Sequence, residues 1–254
     1  MVNIFENFNI RNIIQVGLAA LALNSTMDRA QRKNLIIDTD IFSDVDDAGA
    51  LLIASTSKDV NLLAVNVNHP SRYSVLAVDA ILAHYGLKDV GVGIRRPITD
   101  EHFFDSWYHK LGEYASKVAY NWPAGNLGRV AENAFHPVDL YRKVLSQQKD
   151  GSVTIASIGF LENLSALLNS TADTYSQLSG PELILKKVSE LVVMGGDFPS
   201  GREYNFWGDD PLKAAHVVNN WPGRITYLGS DVGKRVMSGA QLTVEGPEND
   251  PVKA

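Results

Sequence analysis

NLIIDTDIFSDVDD, residues 34–47, joins a short apolar run to an acidic loop. Asn34 to Asp38 reads as a strand whose core, Leu35 to Ile37, shows no polar alternation, as expected where both faces are covered. Beyond it the pattern repeats. Helix-forming composition over Ala48–Ser55 leads to a second strand at Val60–Val67, and Val75–Tyr85 carries Val75, Val78, Ile81 and Leu82 at helical spacing. Residues 95–135, rich in Pro, Gly, Asn and aromatics, read as long loops with one helix. An amphipathic helix is expected at Val138–Ser146, a strand at Val153–Ile158 and a helix at Leu161–Leu168. A buried strand at Leu191–Met194 is followed by a helix at Pro211–Asn220 and a strand at Ile225–Leu228. Strands alternating with helices imply βαβ units. The expectation is an α/β fold: a mostly parallel, Rossmann-like open sheet flanked by helices, in a single domain. The polar loops follow Ile37, Val67, Ile158 and Met194, at strand C-termini, where such sheets bind ligands.

Asp38, Asp40, Asp44, Asp46 and Asp47 place five carboxylates within ten residues. A loop pinned between a strand and a helix needs a cation to offset their mutual repulsion. Hard oxygen donors select Ca²⁺ or Mg²⁺ over softer metals. An acidic helix N-terminus would account for Asp46 or Asp47, but not for all five. An EF-hand reading fails, because its fifth, sixth and twelfth positions counted from Asp38 hold Phe42, Ser43 and Gly49. A phosphotransferase loop of the haloacid-dehalogenase type expects Thr or Val where Phe42 stands, and no downstream Lys signature follows.

IIDTD…DVDDAGALL resembles the Asp-rich signature of the inosine/uridine-preferring nucleoside hydrolases, with two extra residues before the Asp-Asp pair, as in fungal-type members. VNVNHP (65–70) is similar to the family's second strand. VTIASIGFLENLSALL (153–168) resembles its strand, Gly turn and helix, and VVMGGDFPSGREYNFWGDDPLKAA (192–215) its VVMGG…E-x-N…DP-AA block. The order is kept from residue 34 to about 235. The resemblance implies calcium-dependent hydrolysis of the N-glycosidic bond of ribonucleosides, as in purine and pyrimidine salvage. It makes Asp40, Asp47 and the backbone carbonyl of Ile158 ligands of Ca²⁺, with Asp40 also the catalytic general base. Asp46, Asn68, Glu203 and Asn205 become substrate-binding residues, and Asp38 a supporting one. The plainer alternatives are a turn Asn at 68 and a polar loop at 203–205.

Some positions depart from the family pattern. No Asn precedes Glu203 in the stretch after Asp197. Trp207 is a candidate for stacking on a base or for the core, and His69 and His136 for protonating the leaving group. Asn249-Asp250-Pro251 imitates the family's closing Asp segment but stands too close to Asp231, so Asp250 reads as a decoy and the chain as short at its C-terminus. That shortness predicts weak catalysis. Residues 1–30 form an extension in which Ile13–Leu23 resembles a signal-peptide core, and residues 31–254 form the hydrolase-like domain. Cytoplasmic and secreted locations both stay open.

Composition narrows the partners. Hydrophobic residues make up 45% of the 254-residue chain and charged residues 20%, values of a globular protein. The net charge of −6 argues against a nucleic-acid polymer. Without cysteine there is neither thiolate catalysis nor Cys-ligated zinc. No stretch is apolar over the length that a membrane span needs. The expected partner is a small-molecule ribonucleoside; oligomeric state, a homo-oligomer included, is left open. A nucleoside-binding relic without turnover and a metal-dependent phosphatase remain as alternatives.

Overall fold

The computed structural model describes residues 32–43, 45–101 and 113–253. The signal-like segment 13–23 lies outside them. Among the described residues, no helix is long and apolar enough to cross a membrane.

The chain runs β1 (Lys33–Thr39), α1 (Asp46–Thr56), β2 (Val60–Val67), α2 (Arg72–His84), β3 (Gly91–Ile94) and α3 (Glu113–Asn121). It continues through α4 (Pro137–Ser146), β4 (Val153–Ser157), α5 (Glu162–Leu168), α6 (Gly180–Lys187) and β5 (Val188–Met194). The short helix α7 (Tyr204–Trp207), then α8 (Pro211–Asn220), β6 (Ile225–Leu228), α9 (Ser230–Gly233) and α10 (Ala240–Glu245) complete it. The six strands form one sheet in the order β3-β2-β1-β4-β5-β6, with every neighbouring pair parallel. The expected α/β class and Rossmann-like sheet are therefore what the chain adopts.

Strand β1 sits at the centre, and its apolar run serves two cores. Leu35 and Ile37 point into the layer formed with α1, α2 and α3; Ile36 points into the opposite layer, with α4, α5, α6 and α8. From β1 the chain winds outward through β2 to β3, then returns to β4 on the other side of β1 and winds outward again to β6. The order reverses between β1 and β4, which opens a crevice beyond their C-terminal ends.

Five of these elements escaped the sequence reading, two of them the short helices α9 and α10 that follow β6. Strand β3 is only GVGI, too short for a periodicity. Helix α6 opens with a Ser179/Glu182 capping box and Pro181, signals that stood inside a Ser- and Gly-rich stretch. Helix α7 is a single turn between Gly-rich loops.

Buried polar ties hold the connections down. Arg142 on α4 is almost fully buried. Its Nε donates to Asp173 (2.7 Å), Nη1 to Ser170 Oγ (2.9 Å), and Nη2 to the carbonyls of Ser176 (2.9 Å) and Leu178 (2.8 Å). One side chain thus organises the loop that leads into α6. Removing it leaves two carbonyls and the partly exposed Asp173 carboxylate without their donor, and because water still reaches Asp173 the cost is about 3 kcal/mol, the low end for a buried pair. Arg142→Ala should lose about that much in urea unfolding; a loss within 0.5 kcal/mol, about what a surface change costs, would show that the tie carries little.

Candidate functional site

An open cleft of roughly 600 Å³, counted to its mouth, lies at the strand-order reversal. Asp40, Phe42, Ser43, Asp46 and Asp47 line it from the β1–α1 connection, Ile158 from the end of β4, and Met194, Glu203, Tyr204 and Asn205 from the segment after β5.

The local sequence explains each placement. The Thr39 hydroxyl donates to Asp47 (2.5 Å) and accepts from the Ile41 amide (3.2 Å), folding the acidic loop back on itself. Asp46 and Asp47 occupy the first turn of α1, where the helix dipole favours anions. Asp46 is exposed and Asp47 buried. Gly159 allows the two loops to meet: a Cβ there would stand 2.5 Å from the Asp40 amide nitrogen. The buried Glu203 carboxylate accepts from the amides of Gly196 (3.1 Å) and Asn205 (2.8 Å), which orients the turn. Asn205 Nδ2 reaches the carbonyls of Ile158 (3.2 Å) and Met194 (3.1 Å).

All donors facing the cleft are oxygens, apart from the Asn205 amide and the Met194 sulfur. That is the donor chemistry of Ca²⁺ or Mg²⁺. Among the described residues, no three acidic or histidine side chains converge tightly enough to hold a metal by themselves. A cation here would take Asp40, Asp47 and the free lone pair of the Ile158 carbonyl, and water for the rest. On that basis the residues fit such an ion in kind.

Other expected residues fall elsewhere. Asn68 is fully buried and does not line the cleft. Its Nδ2 donates to Asp38 (2.6 Å) and the Phe160 carbonyl (2.8 Å), and its Oδ1 accepts from the Phe160 amide (3.2 Å). Trp207 is half-exposed, edge-on to Tyr204 at 5.6 Å and outside the lining. Asp197 accepts from the Ser230 hydroxyl (3.2 Å). Asp250 accepts from the Tyr85 hydroxyl (2.9 Å) and the Val252 amide (2.8 Å), away from the cleft lining. His136 is the N-cap residue of α4. Residues not singled out beforehand complete the site: Phe42, Tyr204 and Met194 as walls, with Tyr141 and Asn163 beneath. Tyr204 lies inside the E-x-N motif itself, and Asn163 follows Glu162 in the first turn of α5.

Electrostatics follow burial. Desolvation lifts the Asp38 carboxyl to about 7, against the lowering effect of hydrogen bonds from Tyr141, Asn68 and Asn163. Burial pushes Glu162 to about 7 as well, with Asp209 adding to the rise and Arg95 opposing it. His69 stacks on Phe42, with ring centroids 4.3 Å apart, and its Nε2 lies 3.8 Å from Glu101. Burial lowers its pKa to about 4, partly countered by Asp209 and reinforced by Arg95.

A family model described as inosine-uridine preferring nucleoside hydrolase matches residues 35–249. No curated protein sequence matches the chain. Among solved structures, the chain is similar to a plant nucleoside hydrolase at 22% identity and a TM-score of 0.59, covering 78% of this chain and 60% of that one. An inosine-uridine preferring nucleoside hydrolase from Bacillus anthracis aligns at 17% identity and a TM-score of 0.55, over 83% of this chain and 68% of that one. A purine-preferring ribonucleoside hydrolase from Gardnerella vaginalis gives 20% and 0.55, over 78% and 61%. At these identities the likeness is one of fold. The chain spans about 60% of the length of the plant enzyme.

The buried imidazole has a measurable consequence. With its folded pKa near 4 and an ordinary value of 6.5, His69 takes up a proton on unfolding anywhere between. Its contribution is complete above pH 6.5 and is lost as pH falls towards 4, by at most about 3 kcal/mol. Asp38, raised to about 7, works in the opposite sense, its contribution being lost as pH rises through that range. Comparing wild type with His69→Gln isolates the histidine, because Asp38 is common to both. The stability difference between them should shift against wild type on going from pH 7 to pH 4; parallel profiles would contradict the assignment.

Proposed function

Because the chain belongs to the inosine-uridine preferring nucleoside hydrolase family, we propose that it hydrolyses the N-glycosidic bond of ribonucleosides to free base and ribose, with Ca²⁺ as cofactor. The observation that carries this reading is the meeting of Asp40, Asp47, the Ile158 carbonyl, Glu203 and Asn205 in one cleft where the strand order reverses.

In this reading Asp40, Asp47 and the Ile158 carbonyl hold the ion. When bound, Ca²⁺ acidifies an attached water and orients the ribose hydroxyls. Asp40 is the general base that accepts the proton of the attacking water. Glu203 and the Oδ1 of Asn205, whose Nδ2 is taken by the Ile158 and Met194 carbonyls, face the ribose hydroxyls as acceptors; Asp46, exposed at the rim, is a further hydroxyl acceptor. The N-glycosidic bond breaks through an oxocarbenium-like state, its electron pair leaving with the base, which takes a proton from solvent in the open cleft. The anionic wall of Asp40, Asp46, Asp47 and Glu203 stabilises the positive charge on the sugar. Phe42, Met194 and Tyr204 supply apolar walls. His69, neutral and behind Phe42, is not assigned the task of protonating the base.

Among the described residues, the lining contains no lysine or arginine. A phosphoryl group has nothing to pair with there and several carboxylates to repel it, which disfavours the phosphatase alternative. One observation favours binding without turnover: no third acidic side chain joins Asp40 and Asp47 closely enough to hold a metal, among the described residues. p-Nitrophenyl riboside separates these readings from one another when assayed beside p-nitrophenyl phosphate with Ca²⁺ or Mg²⁺. Riboside turnover supports hydrolysis; phosphate turnover alone overturns it; ribonucleoside binding with no turnover supports the relic.

Three variants test the residue roles. Asp47→Ala should abolish calcium binding in calorimetry, and retained affinity would remove Asp47 from the ligand set. Glu203→Ala and Asn205→Ala should weaken inosine and uridine by similar factors, since the ribose is common to both; loss confined to one nucleoside would assign these residues to the base instead.

A further inference from the structure

The cleft is assembled from strands that meet across the β1/β4 boundary, and two buried side chains bridge it just below the cleft. Asp38 is wholly buried. Its Oδ1 accepts from Asn68 Nδ2 (2.6 Å) and Asn163 Nδ2 (3.2 Å), and its Oδ2 from the Tyr141 hydroxyl (2.7 Å). Two amides and one hydroxyl face it, and a carboxylate accepts from all three; an amide would keep the two asparagine bonds but turn a donor towards the tyrosine oxygen. Asn68 pairs with both backbone groups of Phe160, much as a neighbouring strand would, while its own amide donates to the Thr39 carbonyl (2.9 Å). The Ile158 amide donates to the Asp38 carbonyl (2.8 Å).

These bonds use both Nδ2 hydrogens of Asn68 in a side chain with no exposure, leaving no donor for a sugar hydroxyl. They also flank the site directly: Thr39 precedes Asp40, and Phe160 follows Ile158 by two residues. We propose that Asp38 and Asn68 are positioning residues, a buried bracket that sets the Asp40 carboxylate against the Ile158 carbonyl without touching substrate. The proposal rests on the reading of this cleft as a cation and ribose site. It reassigns Asn68, which the family resemblance makes a substrate-binding residue.

Loss of the bracket loosens the two donors relative to each other. Supporting groups behind metal ligands cost roughly 10- to 100-fold in metal affinity or activity when removed. The test uses the full-length protein and the variants Asn68→Ala, Asp38→Asn and Tyr141→Phe, the last removing a single donor in case the others fail to fold. Three quantities are read: Ca²⁺ affinity without nucleoside, amide hydrogen exchange at Asp40–Phe42 and Phe160 without any ligand, and kcat and KM for inosine. Expected are faster exchange at those amides, Ca²⁺ binding weakened roughly 10- to 100-fold in Asn68→Ala, and a fall in kcat with KM little changed. Asp38→Asn combined with Asn68→Ala should be no worse than the poorer single variant, because the two act as one unit. Unchanged exchange and Ca²⁺ affinity in Asn68→Ala, with KM alone raised, would overturn the proposal and make Asn68 a direct ribose contact. If wild type hydrolyses no ribonucleoside, the activity reading falls, and the exchange data still decide the bracket: unchanged protection in every variant overturns it.

Discussion

A carboxylate taken completely out of water is tolerated only where donors surround it. Asp38 stands in that position in the central strand, between the two cores, and much of the local architecture is arranged to meet it. Tyr141 comes from α4, Asn163 from α5 and Asn68 from the end of β2, so three connections converge on one side chain. Directly opposite Asp38 in register stand Asn66 on β2 and Ser157 on β4, which makes a polar row across the middle of an otherwise apolar sheet. Such a row is costly in a core and specifies one arrangement of strands, because a one-residue slip would place the carboxylate against Val65 or Val67 on β2, or against Ala156 on β4 or Ile158 just beyond it.

The cleft above this row is dominated by negative charge, and among the described residues the positive groups nearby lie outside the lining. Arg95 pairs with Asp209 and stands 3.8 Å from Glu162, at the end of β3. That separation gives the cleft a consistent electrostatic character: it attracts cations and developing positive charge and repels phosphate. The acidic balance of the whole chain points the same way, but only the fold shows that the carboxylates from positions 40, 46, 47 and 203 share one volume.

The sequence made the sheet legible where strands were long and buried. Lys33–Thr39 and Val60–Val67 stand out because parallel strands covered on both faces are continuous apolar runs. Gly91–Ile94 did not stand out, since four residues with two glycines carry no such signature; pairing with β2 makes it a strand. Of the residues that line the cleft, type and spacing alone pointed only to the acidic loop; Ile158, Glu203 and Asn205 were singled out by the family resemblance, and the fold brings them into the same volume. Asn68 shows the limit of that reasoning. Its position after β2 is the same whether its amide faces a ligand or the backbone of residue 160, and only the partners distinguish the two. Tyr141 and Asn163 were illegible for a related reason: a polar atom on a buried helix face signals nothing until its partner, more than a hundred residues away, is known.

Strand order also has a bearing on how the molecule comes to exist. Neighbours β1 and β4 pair Asn34 with Val153, so the central contact of the sheet closes a loop of well over a hundred residues. Loop-closure entropy must be spent before such a contact repays it, which places this pairing among the slow, topologically remote events of folding. Local units, such as β1 with β2 or β4 with β5, can form earlier. Neither of them holds both Asp40 and Ile158. The binding cleft is therefore a property of the finished topology, and a partly folded chain carries its acidic loop as an unpaired polyanion, open to solvent and to whatever cations the solvent holds.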